Sequence, residues 1–243
     1  MIEPILLSTL RIATFEGRRP LTNASGFLFE RDDRLFLVTS RHVLFDEPTK
    51  HYPDRLEIEL HTDPNNLATT TGFSMLLYRE GKSTWRQGKD SAGAIDVAVI
   101  EIERAALPPD AIFHCFTPEH LLDADESVEI GTSLLIVGFP LGFRDELHRI
   151  PVARHGIVSS SFGLRFQGEG YFLTDARTHR GSSGAPVVLR VAVPHAALGE
   201  LPWRLLGVHS SRVDIKTREV DEDEALGLNI AWYADIVLTL TES

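Results

Sequence analysis

Cysteine is almost missing from this chain, with one residue, Cys115, in 243. A lone thiol excludes a disulfide framework within the chain and any four-cysteine zinc site, and leaves open only metal sites built from histidine and carboxylates. Positive charge is also scarce. The 24 Lys and Arg stand against 35 Asp and Glu, a formal charge of -11. With arginines scattered and no basic patch, nucleic acid is not expected as a partner, because a polyanion would be repelled over most of the surface. Long apolar runs are absent: stretches such as LLIVGF at 134–139 are too short to span a bilayer as helices, so no membrane is expected either. The N-terminal MIEPILLSTLRIATFEGRR carries Glu3 and Pro4 ahead of its apolar run and lacks a small-residue cleavage signal. The chain therefore reads as cytoplasmic. Internal repeats, low-complexity tails and long segments of helical periodicity are missing as well.

What is present is a succession of short runs rich in β-branched and aromatic residues, separated by turn signals: LRIATF, GFLFE, LFLVTS, LEIEL, GFSMLLYR, DVAVIEI, SLLIVGF, GIVSSSF, GYFLTD, APVVLRV, RLLGVHS and LNIAW. So many strands predict an all-β fold. Leu56, Ile58 and Leu60 alternate with Glu57 and Glu59, as in a strand with one face on a core. Short helical turns are expected at 41–45 and 118–122, and a terminal helix around 232–240. The polar stretches 61–72 and 79–94 read as loops. At 43% hydrophobic residues, the chain can bury one large core or two compact halves. Residues 104–127, rich in Pro, Asp and Glu, divide it into an N-terminal half, 1–115, and a C-terminal half, 116–243. The acidic cluster EVDEDE at 219–224 reads as a solvated loop.

Chemistry concentrates in TDARTHRGSSGAP at 174–186, where small residues surround Ser183 between two strand-like runs. Glycines permit a tight turn that exposes the Ser183 hydroxyl and aims the N–H groups of Gly181 and Ser183 at one point, where a tetrahedral oxyanion can sit. Taken alone, the segment fits a plain glycine-serine loop as well. A nucleophilic serine needs a base, and His42, just past the apolar run LFLVTS, has the near-neutral pKa for it. Asp96, opening DVAVIEI, can accept the imidazole Nδ1–H and fix the tautomer that leaves Nε2 for the serine. Each also has a plainer reading: Asp96 as a turn cap, His42 as a packed residue under a helix. Cys115 beside His114 is not a second nucleophile, because no glycine-rich loop surrounds it; it reads as a small buried hydrophobe.

These segments together resemble the trypsin/chymotrypsin-like serine proteases, and within them the bacterial HtrA-type protease domain. TSRHV resembles the histidine segment, DVAVIEI the aspartate segment and GSSGAP the G-x-S-G-x-P serine segment, in the order His, Asp, Ser. ASGFLFE, LIVGFPLG, HGIVSS and YFLTDA extend the resemblance over residues 24 to 231. It implies two packed six-stranded antiparallel β-barrels of chymotrypsin type with a short C-terminal helix. It also implies a Ser183–His42–Asp96 triad, an oxyanion hole from Gly181 and Ser183, a protein or peptide substrate, and no metal or organic cofactor.

Two departures stand out. Ser182 holds a place usually taken by Asp or Asn, which argues against maturation through a freed N-terminus paired to that aspartate, and Ala185 replaces a common glycine. The resemblance further implies that Thr178, His179, Arg180, His209, Ser210 and Ser211 line the substrate pocket. Arg177, near the place of the aspartate that selects basic side chains, argues against a basic P1 residue. GVHSS is also similar to the corresponding segment of glutamyl endopeptidases, so His209 and Thr178 imply an acidic P1, against a small or aliphatic one. HtrA proteins commonly carry PDZ domains and oligomerisation elements; neither is recognisable here, so regulation is expected from a partner, an accessory domain outside this sequence or loop ordering, and the oligomeric state is open. The competing accounts are a catalytically weak or inactive protease-like peptide-binding module, and a structural barrel in which His42, Asp96 and Ser183 lie apart.

Overall fold

A computed structural model of the chain describes residues 2–123, 126–191, 201–215 and 224–242. A short helix, α1 (Ile5–Ser8), leads into strands β1 (Thr9–Glu16), β2 (Arg19–Arg31) and β3 (Arg34–Thr39), followed by α2 (Arg41–Leu44). Next come β4 (Arg55–His61), β5 (Thr70–Leu76), the short pair β6 (Tyr78–Arg79) and β7 (Lys82–Ser83), β8 (Trp85–Asp90) and β9 (Gly93–Ile102). Beyond the connecting segment lie β10 (Ser133–Gly138), β11 (Val152–Val158), β12 (Tyr171–Ala176), β13 (Pro186–Arg190), β14 (Trp203–Ile215), β15 (Glu224–Tyr233) and α3 (Ile236–Leu240).

The chain is mostly β, as its short apolar runs predict. The second half closes into a six-stranded antiparallel barrel, β10-β11-β12-β15-β14-β13. The first half forms a seven-stranded sheet, β5-β4-β1-β2-β3-β9-β8. Its outermost member, β8, lies in a stretch that reads as a loop from its sequence, WRQGKD, because Gly, Lys and Asp are poor strand formers. Trp85 and Gly88 are nevertheless buried, Trp85 in the core of the first sheet and Gly88 under α3, where an added Cβ would stand 3.1 Å from Ile236 Cδ1. The terminal helix starts at Ile236, later than expected: Trp232 sits in β15, opposite Val208 of β14 and Tyr171 of β12. The acidic cluster at 219–224 falls outside the described residues except for Glu224, the first residue of β15.

Adjacent strand residues face opposite ways, and in β2 and β3 both faces are buried. Leu28, Leu35 and Leu37 join the interior of the first sheet with Leu56, Ile58 and Leu60. Phe27, Phe29, Phe36 and Val38 face the other way, into one cluster with Val137, Leu173, Val188, Val208 and Trp232 of the second half. That is why GFLFE and LFLV are continuous apolar runs while β4 alternates. The shared cluster fixes the two halves against each other; the connection between them is tied to the first half by backbone bonds such as Phe116 N–H to the Leu28 carbonyl, and to the second by a buried arginine. Arg204 of β14 donates to the carbonyls of Glu119 (2.6 Å) and Leu121 (3.1 Å) and pairs with Asp123 and Glu126.

Candidate active site

β3 ends at Thr39, and its partner β9 carries Ala98 opposite Thr39, so Asp96 lies just past the end of that ladder, beside the first turn of α2. Its carboxylate takes both groups that His42 offers: Oδ1 accepts the His42 backbone N–H at 2.8 Å, and Oδ2 lies 2.7 Å from Nδ1. Two contacts to one carboxylate fix the position and tilt of the ring, and the second keeps the proton on Nδ1, leaving the Nε2 lone pair free. Burial pushes the His42 pKa down, but the bond to Asp96 and the charge of Asp96 outweigh this and hold it above 6.5. Burial likewise pushes Asp96 up, yet its bonds to His42 and Ser210 hold it below the ordinary carboxylate value.

Ser210 joins this pair to the nucleophile loop. Its hydroxyl donates to Asp96 Oδ2 at 2.6 Å, and its carbonyl accepts the Ser183 hydroxyl at 3.0 Å. His42, Asp96 and Ser183 are therefore brought to one place, and the structural-barrel account, which requires them apart, is not met. No hydrogen bond joins Ser183 Oγ to His42 Nε2 among the described residues: the hydroxyl is turned to the Ser210 carbonyl instead.

The loop between β12 and β13 is shaped by two glycines in the left-handed region, Gly181 (φ 91°) and Gly184 (φ 83°). A Cβ on Gly184 would fall 2.2 Å from both the Ser25 carbonyl oxygen and Thr39 Oγ1, so no other residue fits against the first half there. The Arg180 carbonyl accepts the Leu141 N–H at 2.5 Å. Because a trans peptide points its C=O and N–H in opposite directions, the Gly181 N–H faces away from Leu141. Among the described residues neither the Gly181 nor the Ser183 N–H has an acceptor, which is the condition for two donors awaiting an oxyanion. Ala185 is fully buried beside Gly138, where an added Cβ would stand 3.1 Å from the Ala185 methyl.

The expected pocket residues fare differently. Thr178 is buried and donates to Asn229 Oδ1 at 2.5 Å, while the Asn229 amide donates to the Ala176 carbonyl at 2.7 Å. His209 is 2% exposed and its Nδ1 has no partner; burial and the nearby charge of His42 push its pKa down to about 3, so the ring is neutral. Its backbone is occupied too, donating to the Ala185 carbonyl and accepting from Gly184 N and Ser40 Oγ. Ser210 turns its side chain to Asp96 and its carbonyl to Ser183, so it belongs to both sides of the site. Ser211 and Arg180 are exposed and His179 is half-buried. β14 pairs with β13 only as far as Val208, whereas Arg212 pairs only with β15, so beyond Ser210 one edge of β14 is unpaired among the described residues.

Sequence reasoning missed Asn229 and Ser40, polar residues within an apolar strand or at its end whose only signal is that isolation, and Ser25, which stands among small and polar residues and has none. Cys115 is half-buried against the first core, and burial pushes its thiol up to about 12, which leaves no thiolate for nucleophilic attack.

Residues 24–191 match the trypsin-like peptidase domain family. No curated protein matches the chain. Among solved structures, the serine endoprotease from Yersinia pestis is similar in fold, with a TM-score of 0.55 and 16% sequence identity over 97% of this chain. The chain spans 62% of that protein's length.

Proposed function

Because the chain belongs to the trypsin-like peptidase family, we propose that it is a serine endopeptidase in which Ser183, His42 and Asp96 form the working triad. The observation that carries this reading is the double hold of Asp96 on His42, at 2.8 Å and 2.7 Å, in a ring whose free nitrogen is left for a serine. Ser183 rotates from the Ser210 carbonyl toward His42 when substrate arrives. The substrate main chain adds along the unpaired edge of β14, and its own N–H takes over the carbonyl that the Ser183 hydroxyl releases.

Ser183 Oγ then attacks the scissile carbonyl carbon while its proton passes to His42 Nε2, and the oxyanion is received by the Gly181 and Ser183 amides. The C–N bond breaks as His42 protonates the leaving amine, and water activated by His42 releases the acyl group from Ser183. This chemistry calls for no metal or organic cofactor.

The P1 side chain is not basic in this reading, since Arg177 stands near the place where a selecting carboxylate would be needed. Held at about 3, His209 is neutral and can offer an acidic P1 a single ring N–H but no positive charge. Thr178 already spends its hydroxyl proton on Asn229. Both observations favour a small or aliphatic P1 over an acidic one.

A fluorophosphonate probe tests the function: the wild-type chain is labelled and Ser183→Ala is not. Absence of both labelling and peptide cleavage in the wild type would leave the peptide-binding module as the better account. Cleavage-site profiling on a proteome-derived peptide library tests the pocket, where enrichment of Glu at P1 overturns the aliphatic reading.

A further inference from the structure

Ser25 sits in β2, on the half of the molecule opposite the nucleophile loop, and is fully buried. It makes four hydrogen bonds there. Its hydroxyl donates to the Gly181 carbonyl at 2.8 Å and accepts the Phe139 N–H at 3.0 Å. Its backbone N–H donates to the Ser183 carbonyl at 2.9 Å, and its own carbonyl accepts the Thr39 hydroxyl at 2.8 Å. The two residues whose amides face the oxyanion position are thus each gripped, through their carbonyls, by one residue of the other half.

The grip acts on orientation. The peptide on the C-terminal side of Gly181 is held by the Ser25 hydroxyl, and the peptide on its N-terminal side by Leu141 N–H, which donates to Arg180. Phe139, two residues before Leu141, is itself bonded to Ser25 Oγ. One hydroxyl therefore anchors both the Gly181 carbonyl and the segment that keeps the Arg180 carbonyl turned away from the oxyanion position. Without it, a glycine with φ near 91° has little steric reason to stay put. A Cβ at Gly181 would meet the Phe139 carbonyl oxygen at 2.5 Å and Leu141 N at 3.0 Å, so the loop and this segment are already in close contact.

We propose that Ser25 is a positioning residue of the oxyanion hole, whose hydroxyl aligns the Gly181 amide by holding the Gly181 carbonyl and Phe139 N–H together. The proposal rests on the serine endopeptidase reading. It makes Ser25 matter when charge develops on the acyl oxygen, and not for ground-state binding or for the protonation of His42.

Ser25→Ala separates these roles. Fluorophosphonate labelling loads a phosphoryl oxygen into the oxyanion position, so its maximal rate and its half-saturating concentration report the two effects separately. The maximal rate is expected to fall about 10- to 100-fold. The half-saturating concentration stays within about twofold, and the pH midpoint of labelling remains that of the wild type. A folded variant that labels at the wild-type maximal rate overturns the proposal, as does a loss carried by the half-saturating concentration or by a moved pH midpoint. If alanine leaves too little folded protein by thermal melting, Ser25→Cys keeps the shape while weakening the donor, and the same two outcomes decide. A wild-type chain that does not label sinks the protease reading itself, a result distinct from either.

Discussion

His42 and His209 approach each other closely enough for the charge of one to act on the other, yet they are tuned in opposite directions. Both are desolvated. His42 has Asp96, which binds it at two points and lifts its pKa above 6.5; His209 has no carboxylate, its Nδ1 has no partner, and it falls to about 3. Burial alone makes an imidazole a poor base, and a paired carboxylate is what restores it. The pair also shows why His209 does not take up a proton of its own beside a charged His42: the same low-dielectric setting that strengthens the bond to Asp96 penalises a second positive charge there.

Removing the carboxylate that separates the two is expected to have the largest effect. Asp96→Asn leaves the shape but favours the wrong tautomer and should lower kcat about 10⁴-fold in a peptide-cleavage assay. Its labelling midpoint should also move toward more acidic pH, since His42 loses what raises it. In the wild type, only neutral His42 accepts the serine proton, so kcat/KM should be low in acid and rise through a midpoint above 6.5. A midpoint well below that value would mean that Asp96 does not govern His42.

The His42 end of this comparison was legible in the sequence and the His209 end was not. Ser183, His42 and Asp96 stand in segments whose residue types announce them: small residues around a serine, a histidine and an aspartate at the ends of apolar runs. The fold was legible for the same reason, since strands buried on one face alternate and those buried on both, such as β2 and β3, run apolar throughout. β8 escaped because Gly, Lys and Asp interrupt it and because what covers its Gly88 is α3, nearly 150 positions later in the chain. Ser210 was read as lining the pocket, but its side chain turns to Asp96, and Ser25 carried no local signal. Both act through hydrogen bonds between residues more than 100 positions apart, which no window of sequence contains.

His209 should announce itself in stability more than in rate. A group whose folded pKa is depressed from 6.5 to about 3 stabilises the fold above 6.5, where neither state is charged, and this contribution is lost as pH falls toward the folded value because the unfolded chain takes up a proton the native one refuses. His209→Leu should therefore flatten the loss of stability between those limits, by on the order of a few kcal/mol in urea melts at acidic pH. Equal acid sensitivity in both proteins would show that the ring is protonated in the native state.

The smallest effect is expected at Ser210, the residue that touches Asp96 on one side and Ser183 on the other. Ser210→Ala removes only the hydroxyl bond to Asp96 Oδ2; the carbonyl that holds the Ser183 hydroxyl is part of the backbone and stays. A hydrogen bond to a charged group contributes about 1.5–3 kcal/mol, but two contacts from His42 remain on the same carboxylate, so kcat should fall by about tenfold or less. The carboxylate, freed of a competing donor, becomes the stronger acceptor for Nδ1–H, and the His42 midpoint should move slightly toward alkaline pH. The opposite displacement would mean that Ser210 supports His42 by orienting Asp96, in which case its loss would loosen the very contact that separates the two histidines.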